Sequence, residues 1–550
     1  MALLVLLAST LIANWTPNGV ALSKASGNQE EYPRITSDGL GGAIVTWQRS
    51  GSYDIYAQRV NASGAVQWTT NGVALCTATG NQEHPQITSD GLGGAIVTWH
   101  DYRSGTNYDI YAQRVNVSGA VQWTTNGVAL CTATGNQRYP QVVSDGAGGA
   151  IVTWYDYRSG TNYGIYAQRV NASGVVQWTT DGVALCTATG NQMDPMIVSD
   201  GAGGAIVTWE DSRSGNYDIY AQRVNASGAV QWTANGIALC TATGGQGGQT
   251  ITPDGLGGAI VTWSDSRGGI YSDIYAQRVN SSGAVQWTAN GVALCTATWD
   301  QYFPTITSDG AGGAIVAWKD NRSVNPGIYA QKVNASGVVQ WTIDGAALCT
   351  ATGYHYGPTI VSDGAGGAIV TWYDTRTGYD GIYAQRVNSS GTVQWTANGV
   401  ALCTLMEDQW NPAITSDGWG GAIVTWQDSR MWYLNSDIYA QRVDANGLAV
   451  LMATDAPAVP IELHQNYPNP FNPATTLTYS IEEKGEVTLK IYDASGKYIA
   501  SLVDRQEEKG SYAVEWNGRD EKGSPAASGI YFYRLTGGNQ TISKKMVLLR

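Results

Sequence analysis

Lysine is almost missing from the first 480 residues of this chain, where only Lys24, Lys319 and Lys332 occur. Charged residues of both signs make up 14% of its 550 residues, and the net charge is -13. A surface this acidic lacks the footprint that nucleic acid or an anionic membrane requires. Histidine occurs four times, without the spacing of a zinc site. There is no phosphate-binding loop and no Ser-His-Asp signature. No apolar run is long enough to cross a bilayer, since the most apolar stretch, residues 1–13, is too short.

Cysteine is also scarce and oddly placed. The seven are Cys76, Cys131, Cys186, Cys240, Cys295, Cys349 and Cys403, each after the same Ala-Leu, with Ser23 in that place at the start. Equivalent positions one structural unit apart are too distant for disulfide geometry, and the odd count argues against a disulfide framework. They read as small buried hydrophobes, with no metal or redox role.

What is abundant is glycine (68) and tryptophan (21), and most of the tryptophan is periodic. A segment of 54 or 55 residues (53 in the first copy) is written out eight times. Trp15, Trp68, Trp123, Trp178, Trp232, Trp287, Trp341 and Trp395 open the copies. Trp47, Trp99, Trp154, Trp209, Trp263, Trp318, Trp372 and Trp426 close an Ala-Ile-Val-Thr/Ala-Trp run in each. Repetition at this period marks a supersecondary unit whose copies bury one another's apolar faces.

In the unit 68–122, residues 85–89 and 95–99 read as strands joined by the tight turn Asp90-Gly-Leu-Gly-Gly94. A polar loop leads to an alternating third strand, 109–115, and the turn Asn116-Val-Ser-Gly119 leads to a fourth that opens at 120 and continues toward 130. Four antiparallel strands in each of eight units predict an all-β, eight-bladed β-propeller over residues 14–452. The array begins with a fourth-type strand near Trp15 and ends with a third-type strand, so the N-terminal strand is expected to complete the last blade. Residues 448–452 compete for that position. Residues 1–13 resemble the apolar core of a secretory signal without its basic start. The propeller is expected to be monomeric.

After residue 452 the composition changes. Residues 453–461 read as a linker, and 462–550 as a small β-sandwich with strands at 477–481, 487–492, 498–503, 512–516, 530–535 and 542–549. The motifs Gln465-Asn-Tyr-Pro-Asn-Pro-Phe-Asn-Pro473, Lys490-Ile-Tyr-Asp-Ala-Ser-Gly496, Ser528-Gly-Ile-Tyr-Phe-Tyr-Arg534 and Lys544-Lys-Met-Val-Leu-Leu-Arg550 resemble the type A C-terminal sorting domain of type IX secretion. They are also similar to the immunoglobulin-like domain of flagellar hook-capping proteins. The resemblance implies a Gram-negative bacterium of the Bacteroidetes–Ignavibacteria kind, the type IX machinery as partner, and secretion to the outer surface with removal of the tail. The repeats resemble propeller arrays of exported bacterial surface proteins, a likeness that carries no activity.

In such a propeller the loops before the first strand and after the second share one face, and there the copies differ most. The varied residues before the first strand include Tyr32, His84, Tyr139, Asp194, Phe303, Tyr356 and Trp410. Those after the second-strand tryptophan are Gln48, His100, Tyr155, Glu210, Ser264, Lys319, Tyr373 and Gln427. Tyr32, His84, His100, Tyr139, Tyr155, Phe303, Tyr356, Tyr373 and Trp410 are therefore the candidate site for a glycan or a surface protein, because aromatic faces stack on sugars while polar neighbours orient them. Drift in tolerant loops is the plain alternative.

Seven Asp-X-Arg pairs, from Asp101/Arg103 to Asp428/Arg430, read as loop-fixing bonds and not as acid–base groups. The Ser-Asp-Gly-X-Gly-Gly run resembles the Asp-box of sialidases, itself a structural motif, and implies no enzyme. Calcium on the Asp-rich turns is the one cofactor to consider, although their spacing fits neither an EF-hand nor a calcium nonapeptide repeat. Asn61-Ala-Ser63 and its copies match a glycosylation sequon but are explained as turns. Three readings stand: a non-catalytic binding or adhesion module, a carbohydrate-active lyase or glycosidase with Asp194 and Glu210 as its unusual acids, and a passive surface protein.

Overall fold

The structure is a computed structural model that describes residues 15–25, 30–430, 436–449, 461–481, 484–493, 498–537 and 540–549. Residues 1–13 and most of the 453–461 linker lie outside these. The chain divides into two compact units, 13–451 and a second that holds 452–550.

The first unit consists of eight four-stranded antiparallel sheets. Blade 2 shows the pattern: Gln82–Ser89, Ala95–Asp101, Asp109–Val115 and Val128–Cys131, in that spatial order. First strands of neighbouring blades, including the last and the first, lie against one another and surround the axis. Alternating residues of the second and third strands, such as Ile96, Trp99, Ile110 and Ala112, pack blade on blade.

Blade 8 closes the ring. Its first three strands are Gln409–Ser416, Ala422–Asp428 and Asp437–Val443, and its fourth is the N-terminal Val20–Ser23. Val20 pairs with Ala440, as expected for closure by the N-terminal strand, while the competing segment reaches the third strand only through a bridge of Ala449 to Val443. Gln441 Nε2 and Arg430 Nη2 each donate 2.7 Å bonds, to the Thr16 and Asn18 carbonyls.

Two expectations about strand ends change. The first strand starts at Gln82 rather than 85, because a bulge between Glu83 and Gln86 absorbs the proline. The fourth strand is Val128–Cys131, and Trp123 precedes it. The opening tryptophans serve as rivets instead. Each Nε1–H reaches a turn carbonyl of the following blade at 3.0–3.1 Å, from Trp15 on Ala62 to Trp395 on Ala445.

The second unit has a three-stranded sheet (Ile461–Leu463, Thr475–Ile481, Gly510–Trp516) and a four-stranded one (Tyr498–Glu507, Gly485–Asp493, Gly529–Gly537, Gln540–Leu548). Ile461–Leu463 falls partly in the expected linker, and three residues are too few to show a period. Phe471 of the Pro-rich motif is buried 5.7 Å from the Trp516 ring, and its backbone bonds to Val547 and Leu549.

The rivets need glycine beneath them. Gly228 has φ +87°, and a Cβ there would stand 2.7 Å from the Trp178 ring, whereas Gly201 (φ +75°) meets nothing within 4 Å. Gly201→Ala is expected to cost about 1 kcal/mol for its left-handed backbone, and Gly228→Ala roughly 2–4 kcal/mol once overpacking is added. Urea denaturation of both variants checks the difference, and equal losses would remove the rivet from the argument.

Candidate functional site

The seams between blades explain most of the repeated polar residues. Asp101 accepts the buried Trp99 Nε1–H at 2.8 Å and pairs with Arg103 at 2.5 Å. Arg103 also donates to the Asn126 carbonyl and to Cys76 Sγ of the preceding blade, and its guanidinium lies 3.7 Å from the Tyr111 ring centroid. The Asp–Arg pair recurs at 2.5–2.6 Å in the other six copies. Asp90 Oδ1 accepts the amides of Leu92 and Gly94 and Oδ2 pairs with Arg114, so the Asp-rich turns hold their own backbone and an arginine. The cysteines are buried free thiols, and burial pushes Cys76 up to about 12.

Blade 1 departs from this scheme. Arg49 stands where the others have Asp, and Glu30 where most have Gln; the two pair at 2.8 Å, and Arg49 covers Tyr56 as Arg103 covers Tyr111. Ser23 donates to Glu30 at 3.2 Å across the closing seam.

Blade 7 departs differently, and the sequence comparison missed it. His355 replaces that Gln, with Nδ1 2.5 Å from the Pro326 carbonyl and Nε2 3.1 Å from both Asp374 and Cys349 Sγ. Among the described residues this is the one group of three or more His, Cys, Asp or Glu side chains with metal-ligand proximity. A cation already serves it, because Arg376 Nη2 lies 2.5 Å from Asp374 and 3.1 Å from Cys349 Sγ. Burial opposes charge on His355, but the bonds to Asp374 and Cys349 outweigh it and hold the imidazolium up to about 9. Burial likewise opposes ionised Asp374, yet His355 and Arg376 hold it well below the carboxylate range.

The variable residues gather at the mouth of the axis, where the first-strand bulges lie. Tyr32, His84, Tyr139, Asp194 and Phe303 occupy the bulge with φ of +50° to +55°. Tyr356 and Trp410 sit one residue earlier, at the Glu83 position, where Gly357 and Asn411 take the bulge; the two sets are distinct columns, not one ring. Bulge amides are tied across the seam: Gln48 accepts from His84 (3.1 Å), His100 Nδ1 from Tyr139 (3.3 Å) and Glu210 from Gly248 (2.8 Å).

Five of the nine candidates form one arc across blades 1–3. Ring centroids are 5.1 Å apart for Tyr32–His84, 4.6 Å for His84–Tyr139 and 5.4 Å for Tyr139–Tyr155, with His100 5.0 Å from His84. Tyr32 and Tyr139 are 37% and 39% exposed, whereas His100 and Tyr155 are buried beneath them. His100 Nε2 faces Glu83 at 3.4 Å, and Tyr108 donates to the same carboxylate at 2.7 Å. The His100 bond holds Glu83 below its usual range, and burial lowers His84 to about 4, so the arc carries neutral imidazoles at pH 7.

Phe303, Tyr356 and Tyr373 line a second cavity of about 480 Å³ that runs from blade 6 round to Arg34 of blade 1, with Lys319, Thr359 and Asn411. Trp410 makes no ring contact with either group among the described residues; it is half-buried and bonds to Asp380. Arg34 was overlooked as a site residue. Its column reads Gln86, Gln141, Met196, Thr250, Thr305, Thr359 and Ala413 in the other copies, and its singularity was the available signal.

Residues 473–541 match the FlgD Ig-like domain. No curated protein matches the chain. Among solved structures it is similar to a protein of unknown function from Dyadobacter fermentans (10% identity, TM-score 0.34, 56% of this chain and 94% of that one). It is similar to an endo-arabinase from Bacteroides thetaiotaomicron (14%, TM-score 0.28, 48% and 95%). PorZ, a surface component of the type IX secretion system of Porphyromonas gingivalis, is similar at 13% (TM-score 0.27, 96% and 82%). None of these likenesses is close enough to transfer an activity.

The blade 7 pair makes stability depend on pH. A histidine raised above its unfolded value of 6.5 stabilises fully below pH 6.5 and loses that contribution as pH rises through about 9. His355→Gln, which restores the residue of the sister blades, is expected to abolish this loss, worth up to roughly 3 kcal/mol. Melting temperatures of both proteins between pH 6 and 10 check it; parallel curves would show that the imidazole is neutral.

Proposed function

We propose that this is an exported surface protein of a Gram-negative bacterium whose propeller, as a monomer, binds a glycan at the mouth without turning it over. The observation that carries the reading is the aromatic arc from Tyr32 through His84 and Tyr139 to Tyr155, half-exposed above and buried below. A continuous run of ring faces suits the apolar faces of successive sugar residues, and the neutral imidazole of His84 among them supplies hydrogen bonds. Adhesion or capture of a polysaccharide is the role that follows. The motifs between 465 and 550 and the FlgD Ig-like match support the tail as the part recognised by the type IX machinery.

Catalysis has one observation in its favour. Burial raises both Asp194 and Glu210, and Glu210 is fixed by the Gly248 amide, which resembles a general-acid arrangement.

A glycan array probed with the full chain, with a polysaccharide-degradation assay beside it, separates the two. Tyr139→Ala and Tyr32→Ala are each expected to weaken binding roughly 3- to 10-fold, the worth of one aromatic stacking contact. Unchanged affinity in both removes the arc as the site. Turnover that disappears in Glu210→Gln would replace binding with catalysis.

A further inference from the structure

Nearly every cation of the propeller is committed to a carboxylate at a seam or a turn, as Arg103 is to Asp101 and Arg114 to Asp90. Lys24, Arg34, Arg138 and Lys319 are the four without a carboxylate ion pair among the described residues; Lys24 and Arg138 lie over the Tyr439 and Tyr108 rings, and Arg34 and Lys319 line the cavity that holds Phe303, Tyr356 and Tyr373. No aspartate or glutamate lines that cavity. We propose that it receives the carboxylate of an acidic sugar, with Arg34 and Lys319 as its counter-charges and the exposed Phe303 ring as the platform for the sugar ring. This rests on the reading that the mouth binds a glycan, and it names the class of glycan.

The side chains are arranged for that chemistry. Arg34 Nη1 donates to the neighbouring Pro33 carbonyl at 3.0 Å, which anchors the guanidinium and leaves its other donors for a planar, two-oxygen acceptor. Lys319 Nζ lies 4.1 Å from the Tyr356 ring centroid. Tyr356 is in turn stacked on Tyr373 at 5.4 Å and 26°. The Thr359 hydroxyl lines the same cavity, buried and without a hydrogen-bond partner, as a donor or acceptor awaiting a ligand. Two separated cations beside stacked rings suit a carboxylate carried on an apolar ring face; a phosphate site would instead cluster backbone amides.

Charge elsewhere at the mouth gives the ligand a direction. Glu31, Glu83, Asp194 and Glu210 belong to blades 1, 2 and 4, around the aromatic arc. Arg138 of blade 3 also stands at the arc, 4.4 Å from the Tyr108 ring centroid, but among four carboxylates, whereas none lines the Arg34–Lys319 cavity; a chain spanning the mouth would lie with its carboxylate in that cavity and neutral residues on the arc.

The test uses the full chain and matched pairs: oligogalacturonate, oligoalginate, hyaluronan fragments and sialyllactose, each beside its carboxyl-reduced or asialo counterpart, with dextran sulfate and poly-glutamate as further arms. Arg34→Gln and Lys319→Gln should both fold, because glutamine is the native residue of those columns at Gln86 and Gln141 and at Gln48 and Gln427. At least one carboxylated glycan is expected to bind about 10-fold or more tighter than its neutral partner, more weakly as salt rises, and to lose that preference in either variant. Equal binding of charged and neutral partners, unaffected by Arg34→Gln, overturns the acidic-sugar inference and leaves the glycan reading standing. Dextran sulfate binding above every carboxylated glycan overturns the carboxylate. Poly-glutamate binding without any glycan, or no binding in any arm, overturns both readings.

Discussion

A buried indole N–H must find an acceptor, and the rest of the propeller follows from how this need is met. Trp99 and its counterparts are fully buried between blades, where an unpaired donor is costly. The acceptor is a buried aspartate, and a buried carboxylate in turn requires a cation. The arginine two residues later supplies it and still has donors left, which it spends on the backbone before the fourth strand and on the sulfur of the previous blade. One unmet hydrogen bond thus draws in an aspartate, an arginine, a tyrosine face and a cysteine, and joins two blades. That chain of requirements explains why these residues recur together, and why the cysteines are thiols facing a guanidinium rather than plain packing groups.

The closing seam shows what happens when the chain of requirements is altered. With Arg49 in the aspartate's place, Trp47 Nε1 has no hydrogen-bond partner. The Glu30 carboxylate pairs with Arg49 and receives the Ser23 hydroxyl instead of a thiol contact. Charge balance and the stacking on Tyr56 are preserved while the indole bond is lost. The departure occurs where the fourth strand comes from the far end of the chain, the one seam whose two sides are not consecutive in sequence.

The architecture was legible because a period of this length, strand alternation and turn chemistry all agree. Blade number was readable from the tryptophans and strand order from the alternation and turns, while closure by the N-terminal strand was an expectation with residues 448–452 as its competitor. The site was legible only in part. Its face followed from where the copies differ, but the bulge did not, because its signal is a positive φ at a residue that precedes proline in seven of the eight copies. Gly248, Gly357 and Asn411 are residue types that favour that conformation, but half the copies place a ring-bearing residue there, so Tyr356 and Trp410 were assigned to the wrong column. The triad at His355 escaped because its members, Cys349, His355 and Asp374, come from two blades and meet only when the seam forms.

The same seam decides which variable positions are free to face a ligand. The residue after the second-strand tryptophan has two kinds of duty around the ring. In Gln48, His100 and Glu210 it accepts the next blade's bulge amide, so its polar atom is committed to the scaffold. Tyr155, Lys319 and Tyr373 make no such bond among the described residues; their rings and charge are turned to neighbours at the mouth instead. Variation is therefore not uniform drift. Where a copy gives up that bond, it puts an aromatic or cationic group there in three of the five cases, Tyr155, Lys319 and Tyr373; the exceptions are Ser264 and Gln427, which accepts from Asn411 of its own blade. The stable repeat supplies seams rigid enough to tolerate those losses, and the losses are what make one face of a near-symmetric ring chemically uneven.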